Sequence, residues 1–357
     1  MERGTARRPR YCEPMSTDDP PAARRSTAPS RATTADVARL AGVSLKTASR
    51  ALTGHPSVRD ETRSRVLQAS VALRFRPNGM ARDLRRGGVA TSIAFVFGDM
   101  MNAFYAEVAM GATEVINARD LTLVMASSGD QPARERPTVD SMLERRVQAL
   151  LLVPIADDHS YLEGERQLGT PIVAVDRPLA NSASDSVIFD NRSGARNGVL
   201  ALADAGHRRI GFVGSNSRLY TDIERLSGYH DAVEARGLDT DPRLVREDAQ
   251  TLESAAATTL ALLDQADPPT ALFAANNRAA FGAYDALRRS GRPVALVGFD
   301  DFPLADTLGI TVVAHSPKEM GRRAADLALR RIDDLDGPLE HVLLPTRLVL
   351  RESHRSH

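Results

Sequence analysis

The sequence predicts a small all-α module followed by an α/β body built from two doubly wound parallel-sheet subdomains. Three observations carry this. Residues 32–86 hold three short helical patterns in quick succession. From Thr91 onward, short apolar runs alternate with amphipathic helical patterns, the rhythm of a parallel sheet with helices on both faces. Charge divides at the same place: Lys and Arg exceed Asp and Glu by 7 over residues 32–86, whereas residues 87–357 carry 10 more acids than bases, so a net charge of zero hides a basic module on an acidic body. Such a module suits a polyanionic partner.

At 357 residues, 42% hydrophobic and 26% charged, the chain is long enough for more than one buried core and has a globular composition. No apolar run reaches the ~18 to 20 residues of a membrane span, so no membrane partner is expected. The first thirty residues lack an apolar segment, and Arg7-Arg8 does not read as an export signal. The single cysteine, Cys12, forbids an internal disulfide and fits a reducing cytoplasm. The expected location is cytoplasmic, on the nucleoid. Residues 1–31, rich in Arg, Pro, Ser and Thr, read as a disordered tail.

The module, residues 32–76, opens with Thr33 as a helix cap and Asp36 three residues on, a capping-box arrangement with Asp in place of Glu. That helix sets Val37, Leu40 and Ala41 on one face and stops at Gly42, where a left-handed backbone is needed. Ser44 caps a second helix, 45–52, ending before Gly54. A third runs from Asp60 to about Leu73, with Val66, Leu67 and Val71 expected inward. Pro77 breaks the pattern, and a short helix-competent stretch, 78–86, precedes Gly87-Gly88; residues 77–88 read as a hinge and linker. Strands are expected at 93–97, 121–125, 149–153, 172–175, 210–213, 271–274 and 295–297, with helices at 104–118, 223–235, 255–263 and 279–289. Residues 89–357 are long for one sheet, hence two subdomains.

The segment TTADVARLAGVSLKTASRAL has the form of a helix-turn-helix. Small Ala38 and Ala48 permit a close crossing, and the second helix begins with Ser44, Lys46, Thr47, Ser49 and Arg50, side chains suited to base edges and phosphates in a major groove. The match extends further. The run from Ala32 to Gly88, then NAFYAE, VDRP, FDN, ALADAGHRRIGFVG, ERLSGY, ALFAANN, VGFDD, EMGRRAADLAL and LPTRLVLRES, resembles the LacI/GalR family of transcriptional regulators across residues 32–353.

The resemblance implies a DNA-binding regulator, a repressor in kind, with a periplasmic-binding-protein-like sensor of two lobes. It makes Leu45 and Lys46 the main specificity pair, with Thr33, Ser44, Thr47, Ser49 and Arg50 on bases or phosphates. Leu45 has core packing as its competing reading. It makes Asn78 the opening of a hinge helix in which Ala81 and Arg82 face the minor groove and Leu84 wedges a base step, at a cost of a few kcal/mol offset by bending. Gly79 lowers intrinsic helicity there by ~1 kcal/mol against Ala. In the sensor it places effector contacts at Phe104, Asp176, Arg225, Asn276 and Asp300, and less firmly at Ser127, Ser227 and Phe273. Acceptors, a bidentate donor and an amide on an aromatic platform suit a sugar or sugar derivative. Three departures from the family pattern stand out: Ala103 replaces a usual proline, Asn277 a usual aspartate, and about four residues common before the VGFDD strand are missing; the first two bear on the ligand class.

The implied partners are a pseudo-palindromic double-stranded DNA operator, a small-molecule effector and a second copy of the chain, since two-fold protein symmetry matches a two-fold operator. The want of a heptad tail before His357 favours a homodimer over a tail-assembled tetramer. No cofactor and no metal is expected. Neither a phosphate loop, a G-x-S-x-G elbow nor an H-E-x-x-H motif is present, and adjacent Asp300 and Asp301 should point apart, so an enzyme is disfavoured. His354 and His357 read as solvated tail residues. A periplasmic-type solute-binding protein is the alternative that the sensor half alone would allow.

Overall fold

The computed structural model describes residues 32–75, 91–215 and 218–355. They fall in two compact units that divide at Gly87-Gly88. The expectations for residues 1–31, for the hinge at 77–88 with Asn78, Ala81, Arg82 and Leu84, and for His357 lie outside the described residues.

In the first unit, helices α1 (Thr34–Ala41), α2 (Leu45–Leu52) and α3 (Asp60–Ala72) enclose Val37, Ala38, Ala41, Ala48, Ala51, Val58, Val66 and Ala69. The capping box forms as expected: the Thr33 hydroxyl accepts from the Asp36 amide, and the Asp36 carboxylate accepts from the Thr33 amide at 2.9 Å. Gly42 adopts φ +64°, the left-handed turn between α1 and α2. Leu40, Leu67 and Val71, expected inward, are instead exposed, at 57%, 46% and 77%. Helices this short bury one narrow stripe each, and these three side chains stand beside it.

The second unit has two lobes, each organised by a six-stranded sheet. The first sheet takes β1 (Ser92–Phe97), β2 (Thr122–Ser127), β3 (Leu150–Leu152), β4 (Ile172–Val175), β5 (Asp185–Phe189) and, late in the chain, β11 (His341–Leu344), in the order β11-β5-β4-β3-β1-β2. Its helices include α4 (Ala103–Ile116), α5 (Pro132–Leu143) and the short α6 (Glu163–Gln167). After β5, helix α7 (Asn191–Asp204) opens the second lobe. There β6 (Ile210–Val213), α8 (Tyr220–Arg236), β7 (Val245–Arg246), α9 (Leu252–Leu263), β8 (Ala271–Ala274), α10 (Asn277–Ser290), β9 (Ala295–Phe299) and β10 (Thr311–Ala314) follow in turn.

The chain then recrosses to lay α11 (Pro317–Asp333) against α4, adds β11 to the first sheet, and returns with β12 (Arg347–Val349). The second sheet reads β12-β10-β9-β8-β6-β7, parallel except where β12 pairs antiparallel to β10. Central strands such as β3, β4, β6, β8 and β9 are buried throughout, as a sheet covered on both faces requires. Gly111 of α4 and Gly321 of α11 let those helices meet backbone to backbone: a Cβ on Gly111 would overlap the Lys318 carbonyl, and one on Gly321 the Val108 carbonyl.

His354 corrects the expectation of a solvated tail. It is 7% exposed, with Nδ1 3.0 Å from the Thr311 hydroxyl. The preceding Ser353 is tied to the end of the sheet, its hydroxyl donating to the Leu296 carbonyl at 2.6 Å and accepting from the Thr311 amide at 2.8 Å.

Candidate DNA-contacting helix and ligand cleft

Helix α2 is seated through Ala48 and Ala51, which are buried, so its first turn faces solvent. Ser44 caps it: its hydroxyl accepts from the Thr47 amide at 3.1 Å and lies 2.8 Å from the Thr47 hydroxyl. Both hydroxyls are therefore held at the mouth of the helix. Leu45 is 56% exposed, which removes core packing as its role. Lys46 and Arg50 are exposed, and neither has an ion-pair partner among the described residues. Thr33 sits at the N-cap of α1, with its hydroxyl engaged by Asp36 at 2.7 Å, and Ser49 is half-buried.

In the second unit a cleft of about 210 Å³ opens between the lobes. Its walls are residues that follow strand ends: Asn102 after β1, Asp130 after β2, Ile155 after β3, Asp176 and Arg177 after β4, Ser215 after β6, Gln250 after β7, Asn276 after β8 and Asp300 after β9. Loops at the carboxyl ends of parallel strands are where open α/β sheets place ligands.

Asp176 and Asp300 occupy corresponding places in the two lobes. Each follows a central strand and adopts a left-handed backbone, φ +69° and +70°, which costs a non-glycine residue of order 1–3 kcal/mol. Each amide continues the ladder, Asp176 donating to the Val187 carbonyl at 2.9 Å and Asp300 to the Val313 carbonyl at 3.0 Å. The strain turns both carboxylates into the cleft.

Asp300 is the centre of a buried network. His315 Nε2 lies 2.8 Å from its Oδ1, Arg225 Nη2 lies 3.4 Å from the same oxygen, and the Asn277 amide donates to Oδ2 at 3.2 Å. Burial works against the Asp300 charge, but Arg225, His315 and the Asn277 amide outweigh it and hold the carboxyl below its ordinary range. Arg225 also donates to the Asn191 side chain at 2.8 Å and the Ala275 carbonyl at 2.6 Å, with its guanidinium 3.8 Å from the Phe299 ring centroid. Asn276 caps α10 by accepting from the Ala279 amide at 2.9 Å, and its Nδ2 donates to Ser215 at 3.2 Å. Phe104, edge-on to Phe189 and His315, supplies the aromatic wall. Hydroxyl-rich ligands meet here two carboxylate acceptors, guanidinium donors and amides beside a ring.

A model of bacterial regulatory proteins of the lacI family matches residues 33–78, and a periplasmic binding protein-like domain model matches residues 199–354. The HTH-type transcriptional regulator CelR of Thermobifida fusca is 32% identical over 329 residues, spanning 89% of this chain and 96% of that protein. The chain belongs to the lacI family. The ribose operon repressor of Haemophilus influenzae is 29% identical over 328 residues, 90% of this chain and 98% of its own. In fold, the regulator is similar to the lac repressor dimer bound to operator and the anti-inducer ONPF, with a TM-score of 0.78 over 92% of this chain and 100% of the other at 23% identity.

Five of the residues that the resemblance points to in the regulator's sensor meet in the cleft: Phe104, Asp176, Arg225, Asn276 and Asp300. Three do not. Phe273 is fully buried in β8, in the core beneath α7, because it points along the sheet normal and not out of the strand end. Ser227 lies two residues beyond Arg225 on α8, on a different face, its hydroxyl donating back to the Ile223 carbonyl at 2.8 Å. Ser127 ends β2, and its hydroxyl is spent on the Gly98 carbonyl and the Gly129 amide. Sequence reading misses Asp130, Arg177, Asp222, Gln250 and Arg278, all in the cleft wall. Their one available signal is position: most sit within a few residues of a strand end or open a helix. Asp301 turns away from Asp300 and pairs with Arg351 at 3.1 Å, so the two carboxylates form no dyad. Among the described residues no helix is long and apolar enough to cross a membrane, and no group of His, Cys, Asp and Glu gathers for a metal.

Proposed function

We propose that this regulator is a repressor working in the cytoplasm by binding and not by catalysis. It acts as a homodimer that places α2 of each headpiece in a major groove of a pseudo-palindromic operator, while a sugar-like effector in the cleft sets operator affinity. The observation that carries the reading is the seating of α2: buried alanines fix the helix while Leu45, Lys46 and Arg50 stand outward in a basic module. Lys46 is a donor for guanine O6 and N7, and Leu45 makes apolar contact with a thymine methyl. Thr47, Ser49, Arg50, Ser44 and Thr33 supply the flanking contacts, and Asn78, Ala81, Arg82 and Leu84 the hinge contacts. The names of the relatives agree with this: a ribose operon repressor among them, and a lac repressor dimer bound to operator.

In the sensor, Asp176, Arg225, Asn276, Asp300 and Phe104 hold the effector. Binding shifts operator affinity only through unequal affinity for two settings of the lobes. The test is retention of genomic fragments on the immobilised full chain as salt is raised, with and without a sugar panel. Retention that falls steeply with salt and responds to one sugar is expected. No salt-sensitive retention under any condition overturns the proposal.

A further inference from the structure

Every arginine in the cleft wall already holds a carboxylate of its own chain. Arg177 pairs with Asp176 at 3.2 Å and also donates to the Pro154 carbonyl at 2.9 Å. Arg225 pairs with Asp300 at 3.4 Å. Arg278, second residue of α10 in the second lobe, reaches across to the first lobe, where it pairs closely with Asp99 and lies 3.7 Å from Asp130. Beside it, Asn277 Nδ2 donates across the cleft to Asn102 Oδ1 at 3.0 Å.

Asp130 is placed for this at some cost. Its backbone is left-handed, φ +55°, and its carboxylate packs where a Cβ on Gly98, just after β1, would overlap it, so a larger residue there would push this carboxylate aside. Four aspartates, Asp130, Asp176, Asp222 and Asp300, face three arginines in the wall, and Asp99 adds a fifth acid at Arg278. The balance is acceptor-rich. A phosphate monoester bringing about two negative charges would meet surplus carboxylates and guanidiniums already engaged. A neutral polyol needs only to donate its hydroxyls to acceptors that are turned toward it. The volume, about 210 Å³, is below the roughly 300–1,000 Å³ usual for drug-sized ligands and suits one sugar ring.

The geometry points to Asp99 and Asp130 as the residues that set effector charge: by occupying Arg278 they leave the cleft without an anion site, so the effector is an uncharged, unphosphorylated monosaccharide-sized polyol. This rests on the reading of the cleft as the effector site. A phosphorylated ligand would have to displace Asp99 and Asp130 from Arg278 and leave both half-buried carboxylates beside its own charge, an unfavourable like-charge arrangement.

The experiment is calorimetric titration of the full chain with D-ribose, D-fructose, D-glucose and D-galactose, then with ribose 5-phosphate, fructose 1-phosphate, glucose 6-phosphate and inorganic phosphate. At least one neutral sugar should bind, and its phosphate ester should bind about 100-fold more weakly or not at all. In the double variant Asp99→Asn, Asp130→Asn, which frees Arg278, that gap should narrow about 10-fold or more. Wild-type protein binding an ester as tightly as its parent sugar overturns the inference and leaves the sugar reading standing. So does a folded double variant with an unchanged gap. If the double variant fails to fold, the two single variants carry the same comparison. Silence from both sets with operator binding intact overturns the sugar reading, and this inference with it.

Discussion

Lys46 is one of two lysines in a chain with far more arginine, and it stands exposed at the second position of α2. If it reads a base, Lys46→Ala should change which duplex is enriched from a random-sequence pool, removing about 1–3 kcal/mol of preference at one position. A uniform loss of affinity across sequences would mean a phosphate contact only. Asp300 presents a different residue-scale test. Its folded-state carboxyl is held below the ordinary range, so it favours the fold fully above the unfolded value and loses that contribution as pH falls through the folded one. Asp300→Asn leaves Arg225 buried without its carboxylate and should cost about 3–5 kcal/mol at neutral pH. The difference from wild type, followed by denaturant melts, should shrink as pH falls below the ordinary carboxylate range and the wild-type carboxyl protonates; a gap independent of pH would show that Asp300 is not ionised in the fold. At this scale the cleft is half legible in sequence. Asp176, Arg225, Asn276 and Asp300 sit in strings of residues distinctive enough to align, whereas Asp130 and Arg278 owe their role to a bond across the two lobes that no local pattern announces. Phe273 and Ser227 lie outside the cleft wall for a simpler reason: one step along a strand, or two along a helix, turns a side chain from cleft to core or surface.

Helices and strands with strong signals are read nearly to the residue: β4, β6 and β8 coincide with the expected strands, and α1 and α2 are fixed by their caps. What escapes has a physical cause. Helix α5 contains Pro132 and Pro137 and few apolar residues, and β11 is an edge strand with alternate residues exposed, so neither carries the periodicity that identifies buried elements. The contact of α4 with α11 is equally invisible, since it depends on two glycines 210 positions apart meeting in space. It makes a sharp prediction. Gly111→Ala must push the Lys318 carbonyl away and should lower stability by about 1–3 kcal/mol or more. Gly164→Ala, in a short helix with open space around the new methyl, should be neutral or stabilise by up to about 1 kcal/mol. Thermal melts of the two variants, run beside wild type, decide it; equal effects would remove the close-packing argument.

Across the whole molecule, neither lobe is written as one stretch of sequence. The first sheet is made by residues 92–189 and then waits for β11, while α11, whose Met320, Ala324, Ala325 and Ala328 are buried in the first lobe's core, is encoded after most of the second lobe. Synthesis on the ribosome therefore exposes the apolar side of strands β1 to β5 until residue 317 and beyond has emerged. Stalled nascent chains that end near residue 310 should be digested by protease throughout 91–310, and chains carrying residue 355 well clear of the exit tunnel should resist it; protection of the first lobe in the shorter chains would contradict this order. A premature stop codon late in the message would thus leave a basic headpiece attached to a body unable to close its core, a species for cellular proteases to remove before it occupies an operator that it has no means of releasing.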